Sequence, residues 1–160
     1  MPLCDKLLKV NVKKLVRRNW LTSFLEERMF CMEEKLKKSG SITFPEGCDN
    51  APRKRMLIDL YKAAAACEED YIIANATETV KWQIIGQTSL SSREEVFKKI
   101  KMCQIQKIHL TNVITHGPTA AVNGTFEMAD GTTLAFADVF RFTSAGKKGL
   151  INEIASYYIS

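Results

Sequence analysis

Asp138 sits in the stretch TTLAFADVFRF, and its setting is chemically unusual. With the two-residue period of a strand, Thr132, Leu134, Phe136, Asp138, Phe140 and Phe142 share one face, while Thr133, Ala135, Ala137, Val139 and Arg141 share the other. Burying an unpaired carboxylate is costly, so an acid among phenylalanines must find a partner, stay protonated or face a cavity. Two roles fit that requirement. As a structural acid it would be tied to a neighbouring hydroxyl and hold the curvature of the sheet. As a functional acid it would have a raised pKa and contact a ligand, which makes Asp138 the candidate catalytic residue.

Other chemistry-bearing residues are sparse. Trp82 reads as pocket wall or core, with an indole N–H able to orient a polar ligand atom. His116 opens the turn His116-Gly117-Pro118, and is either an exposed turn residue or a rim residue titrating near neutral pH. His109 alternates with Lys107 and Thr111 on a polar strand face and is expected to be solvated. The two histidines have no ligand-like spacing, so no metal site is expected. No serine lies in a nucleophile elbow and no glycine-rich loop could cradle a phosphate, so no cofactor is expected either.

The elements that must position these residues can be read from periodicity. From Asn11 to Lys38 apolar residues recur at three- and four-residue intervals, predicting two helices with a break near Arg28 to Phe30. Ser41 to Phe44 is a short β-like run closed by Pro45 and a turn-rich segment. Pro52 opens the next helix, continued by Met56, Leu57, Leu60, Ala63, Ala64 and Cys67. A short helix over Glu69 to Asn75 and a strand over Glu78 to Ile85 follow. Ser91 or Ser92 caps a helix running to Met102. Strands then succeed one another at Gln104 to Thr115, Ala120 to Met128, Thr132 to Thr143 and Leu150 to Ile159, with Asp130-Gly131 marking a tight hairpin. Tyr157 and Tyr158 occupy opposite faces of the last strand, and the sequence leaves open which enters the core. Helices followed by an antiparallel meander predict an α+β fold.

At 160 residues, 46% hydrophobic and 26% charged, the chain is long enough for one domain with a substantial core. Charges interrupt the N-terminus where a signal peptide needs its apolar stretch, and no run is long enough to span a membrane, so a cytoplasmic location is expected. Five cysteines, odd in number and without CxxC spacing, read as reduced thiols. The formal charge of +5 is concentrated in KKLVRR and PRKR. No RNA-binding or zinc-finger pattern accompanies it, so it reads as solvated helix surface rather than a nucleic-acid interface.

Within this architecture the helical stretch LIDLYKAAAACEEDYIIANATETVKWQIIG, the helix start SSREEVFKKI and the segment HGPTAAVNGTFEMADGTTLAFADVFRFTSAGKKGLINEIASYYI resemble the nuclear transport factor 2 superfamily. That superfamily includes ketosteroid isomerase and the SnoaL-like polyketide cyclases. The likeness covers Pro45 to Ile159; the corresponding ketosteroid isomerase strand also reads Asp, one residue, Phe-Arg-Phe, two residues, Ala-Gly-Lys. It implies a curved antiparallel sheet forming a cone, with helices packed on its concave face around an apolar pocket. The chain then divides into an N-terminal helical extension, residues 1–42, and a cone domain, residues 43–160. In ketosteroid isomerase a protonated acid and a tyrosine bind the substrate oxyanion while a second acid moves the proton. Carried over, the oxyanion-binding acid matches Asp138 and the tyrosine falls at Leu60 or Tyr61. The proton-moving acid falls at or beside Trp82, which cannot act as a base.

The expected function is binding of a small, mostly apolar, carbonyl- or hydroxyl-bearing molecule in the cone. Asp138 and Tyr61 would supply polar contacts, Trp82, Phe136, Phe140 and Ile154 the walls, and His116 the rim. Isomerase- or cyclase-type proton transfer is the catalytic version. The alternative is a non-catalytic module that forms a homodimer through its outer sheet face and presents its N-terminal helices to a partner.

Overall fold

The computed structural model describes residues 41–47, 51–103 and 105–159. The two helices expected over Asn11 to Lys38, and with them residues 1–40 of the expected extension, lie outside the described residues; Ser41 and Ile42, assigned to that extension, belong to a strand. Among the described residues, three helices and seven strands follow in the order β1 (Ser41–Thr43), α1 (Pro52–Ala66), α2 (Glu69–Asn75), β2 (Ala76–Ile84), β3 (Thr88–Leu90), α3 (Arg93–Met102), β4 (Ile105–His116), β5 (Thr119–Met128), β6 (Thr133–Phe142) and β7 (Ile151–Ile159).

Local chemistry sets most of these boundaries. Proline in the first turn starts α1, because its missing N–H has no intrahelical partner to lose there. Cys67 ends α1 in the left-handed conformation, φ 54°, with its N–H turned back to the carbonyls of Ala63 and Ala64. At α3 the Ser92 hydroxyl accepts from the Glu95 N–H at 3.2 Å, and the Glu95 carboxylate accepts from the Ser91 N–H at 2.8 Å. Asp130 Oδ1 accepts from the Thr132 N–H at 2.9 Å while Gly131 takes φ 82°, which closes the β5–β6 hairpin. The longer β6–β7 turn is held from α1, where Arg53 Nη2 donates to the carbonyls of Ser144 and Gly146 at 3.1 and 2.6 Å. The Arg53 guanidinium also lies 4.0 Å from the centre of the Phe142 ring.

The sheet order is β1-β4-β5-β6-β7-β2-β3. β4 to β7 form the antiparallel meander that the sequence implies. β2 joins β7 in parallel and β1 joins β4 in parallel, so the complete sheet is mixed. Both strands precede helical segments in the chain, and a helical crossover returns a chain in the parallel sense. β3 was not expected. It is three residues with no alternation to read, formed where Gly86 at φ 77° folds the chain back onto β2. β1 also places Thr43 opposite His109, whose Nδ1 shares a 2.6 Å hydrogen bond with the Thr43 hydroxyl.

Register shifts at Leu110/Asn112, Ile105/Lys107 and Arg141/Phe142 bend the long strands. At the first of these shifts Gly124 lets β4 and β5 approach closely, since a Cβ there would lie 1.9 Å from the His109 carbonyl oxygen. That atom belongs to the backbone and cannot swing away. Gly124→Ala is therefore expected to destabilise the fold by roughly 1–3 kcal/mol, read as a lower urea midpoint. An unchanged midpoint would show that the two strands do not pack this tightly.

On the inner face, α1 lays Leu57, Ile58, Tyr61 and Ala65 against Ile108, Leu110, Val122, Phe126, Phe136 and Phe140. Their spacing along α1 puts these residues on one side of the helix, which is why its exposed side carries the charged residues.

Candidate functional site

β6 alternates as its sequence predicts: Phe136, Asp138, Phe140 and Phe142 are buried, while Ala135, Ala137, Val139 and Arg141 are exposed. Asp138 is only 6% exposed. Facing it from α1, the Tyr61 hydroxyl donates to Asp138 Oδ2 at 2.5 Å. Of the two positions to which the resemblance led, Tyr61 is fully in the core, and Leu60 is half-buried at its edge. Phe126 and Phe136 stack 4.0 Å apart and nearly parallel, with Tyr61 5.5 Å from Phe136 and edge-on to Phe140 at 6.4 Å. The carboxyl group is thus ringed by aromatic carbon.

The register of β6 on β7 sets Ser156 directly opposite Asp138, and Ser156 is wholly buried. Its Oγ accepts from the Trp82 indole N–H at 2.7 Å. Burial pushes the Asp138 pKa up to about 6, with Ser156 and Tyr61 pulling the other way by stabilising the ionised form. The Tyr61 phenol is pushed well above its usual range by burial first and by the Asp138 carboxylate second, with Tyr158 adding to the effect. Asp138 Oδ1, by contrast, is buried with no hydrogen-bond partner.

The structure therefore brings together Asp138, Tyr61, Trp82, Phe136 and Phe140. Ile154 packs against this core half-buried, opposite both Phe140 and Trp82. His116 is not brought to the cluster. It ends β4 exposed, on the same face as the exposed Ile114 and opposite the buried Val113, because an even number of residues separates it from the outward side chains. Tyr158 rather than Tyr157 turns inward, its ring 6.5 Å from Phe126, and Tyr157 is exposed. Ser156 and Phe126 were missed by the sequence reading. The two-residue period of β7 carries a signal for the first, since Ile154, Ser156 and Tyr158 must share the face that meets β6. Ser156→Ala would leave the Trp82 N–H buried without an acceptor, and is expected to lower stability by about 1–3 kcal/mol in chemical denaturation. Unaltered stability would mean that the indole has another partner.

The opposite face of the sheet is different in kind. A depression of about 360 Å³ is lined chiefly by Lys81, Gln83, Thr119, Val139, Arg141 and Glu153, with Arg141 and Glu153 paired at 3.6 Å. Among the described residues there is no group of three or more His, Cys, Asp or Glu side chains that could hold a metal ion. No helix among them is long and apolar enough to cross a membrane.

Neither a protein-family model nor a curated protein sequence matches the chain. Solved structures do match. A protein of unknown function with a cystatin-like fold from Methylobium petroleophilum has a TM-score of 0.61 at 16% identity, over 70% of this chain and 78% of its own. A nuclear transport factor 2-like protein of unknown function from Burkholderia pseudomallei has a TM-score of 0.57 at 17% identity, over 68% of this chain and 92% of its own. An epoxide hydrolase of the LEH-like type from M. tuberculosis has a TM-score of 0.55 at 11% identity, over 66% of this chain and 80% of its own.

Proposed function

We propose that this chain, which has the nuclear transport factor 2-like α+β cone fold, binds a small, mostly apolar molecule on the inner face of its sheet, with Asp138 as the polar contact. The observation that carries the reading is Asp138 Oδ1, an acceptor withdrawn from water and left without a partner. Native cores hold few such atoms, and each is destabilising by about 1–3 kcal/mol unless something satisfies it. A ligand hydrogen bond would do so, and the surrounding rings would bury the ligand's apolar part. Because the rings close around the carboxyl group, a ligand reaches it by parting Tyr61, Phe126 and Phe136.

Binding is favoured over catalysis on chemical grounds. Proton transfer needs a second group to take or return the proton, and the resemblance puts that acid at or beside Trp82, which cannot act as a base. A thermal-shift screen of a broad apolar library on the full chain tests the reading. It predicts hits that Asp138→Asn weakens; no hit at all, or hits indifferent to Asp138→Asn, would overturn it.

A second reading rests on the outer face. The register aligns Ile114, Ala121, Val139 and Ala155 in one row across four strands, with Ala137 and Tyr157 in the next. Ile114 is 61% exposed and Val139 41%. A row of small and apolar side chains suits pairing with a second copy about a two-fold axis. Under this reading light scattering gives a dimer that Val139→Glu converts to monomer, and a strict monomer for the unaltered chain would remove it.

A further inference from the structure

We propose that the outer edge of β4 is a pairing surface for a second copy of this chain, the two strands joining antiparallel about a two-fold axis at Ile114. The inference is independent of the inner-face site. β1 closes the sheet beside β4, yet it covers only Lys107, Ile108 and His109. Pro45 comes two residues after β1 ends and has no N–H with which to continue the ladder. Among the described residues, no strand and no backbone hydrogen bond reaches residues 110–116 from that side. Their outward N–H and C=O groups form an open template for another strand. Over residues 112–116 the register on β5 is unbroken, from Asn112 opposite Asn123 to His116 opposite Thr119, so this part of the edge is regular.

Natural sheets blunt such edges with lysine, proline or a bulge. Residues 112–116 read NVITH and carry none of these. The side chains identify the occupant. A two-fold axis normal to the sheet keeps each residue opposite one on its own face, so a register centred on Ile114 sets Ile114 against Ile114, Val113 against Thr115 and Asn112 against His116. Ile114 is 61% exposed, and the pairing covers it with its own copy. Val113 and Thr115 are β-branched residues on the inner face, while Asn112 and His116 are exposed polar residues able to hydrogen-bond each other. No facing pair sets like charges together. The edge is therefore its own complement. β3, at the other end of the sheet, is only three residues long, which disfavours head-to-tail joining of β4 to β3. The β4 pair closes on itself as a dimer instead of growing into a fibre.

The test is hydrogen exchange of the full chain, followed against protein concentration alongside sedimentation. A dimer is expected, with the outward amides of residues 112–116 exchanging about tenfold more slowly where about nine in ten chains are paired, since exchange then proceeds from the unpaired remainder. A dimer formed through the sheet face brings side chains together and leaves these amides exchanging freely, which separates the two surfaces. Ile114 belongs to both surfaces, so two variants are compared. Ile114→Lys sets like charges face to face at the axis and is expected to abolish the protection. Val139→Glu lies on β6, two strands in from the edge, and is expected to leave the protection intact. A strict monomer at every concentration would overturn the proposal, as would a dimer in which these amides exchange as fast as those of an unpaired edge. Loss of the protection in Val139→Glu would overturn it too. The measurements on the unaltered protein carry the test whether or not either variant folds.

Discussion

Phe136→Ala is expected to lower the free energy of unfolding by about 3–5 kcal/mol, the usual range for removing a fully packed aromatic ring. Phe136 is 4% exposed and is the centre of the cluster, touching the rings of Phe126 and Tyr61. It also lies directly opposite Gly124, so its ring covers a position with no side chain of its own. Deleting the ring would remove the apolar area it buries and open a cavity beside Asp138 that neighbouring strands cannot collapse to fill. Val139→Ala, three residues along on the exposed face of the same strand, should change stability by no more than about 0.5 kcal/mol. Urea unfolding of both variants measures the contrast, and equal effects would mean that the assumed inner and outer faces of β6 are not distinct.

The second large effect is a pH dependence. Asp138 has a folded pKa of about 6 against an ordinary value of 3.8. A carboxyl group whose pKa rises on folding holds its proton more tightly in the folded state, so the unfolded state binds fewer protons between those two values. Stability contributed by this group is therefore fully present below about pH 4, falls as pH rises through about 6, and then levels. The difference is about 3 kcal/mol, at about 1.4 kcal/mol per pKa unit. The polar groups that act on Asp138 are Tyr61 from α1 and Ser156 from β7, and its neighbours on the inner face of β6 are the rings of Phe136 and Phe140. None of these changes charge in that window. Asp138→Asn removes the titration while keeping the shape, so the variant should gain on the unaltered protein by about 3 kcal/mol between pH 4 and pH 7. A constant difference across that range would show that the carboxyl group is not desolvated.

Much of this arrangement was legible in the sequence. The face of β6 could be read because the alternation from Thr133 to Phe142 is unbroken, and so could the hairpin at Asp130-Gly131, where the turn requires positive φ. Depth was harder to read than face. The apolar spacing of α1 runs through Leu57, Leu60 and Ala64 and does not say which side chain reaches across to β6, so Tyr61 was reached only approximately, through the family resemblance. Partners were harder still. That Ser156 faces Asp138, and that Trp82 bonds to Ser156 rather than to a ligand, depends on the registers of β6 on β7 and of β2 on β7. Those registers are fixed by pairing between strands distant in the chain, and the alternation within one strand does not specify them. The parallel pairings of β1 and β2 escaped the sequence reading for a related reason, because strand order is fixed by contacts distant in the chain.

His116 shows the limit of reading a turn residue. Its neighbours Gly117 and Pro118 identified the turn, but the side to which the imidazole projects depends on parity counted from Val113. That count directs it outward.

The account depends most on Asp138 being a desolvated carboxyl group within the aromatic cluster. Its titration can be followed directly by the carbon-13 chemical shift of the side-chain carboxyl, assigned by the signal lost in Asp138→Asn. The account predicts a midpoint near pH 6; a midpoint close to 3.8 would contradict it.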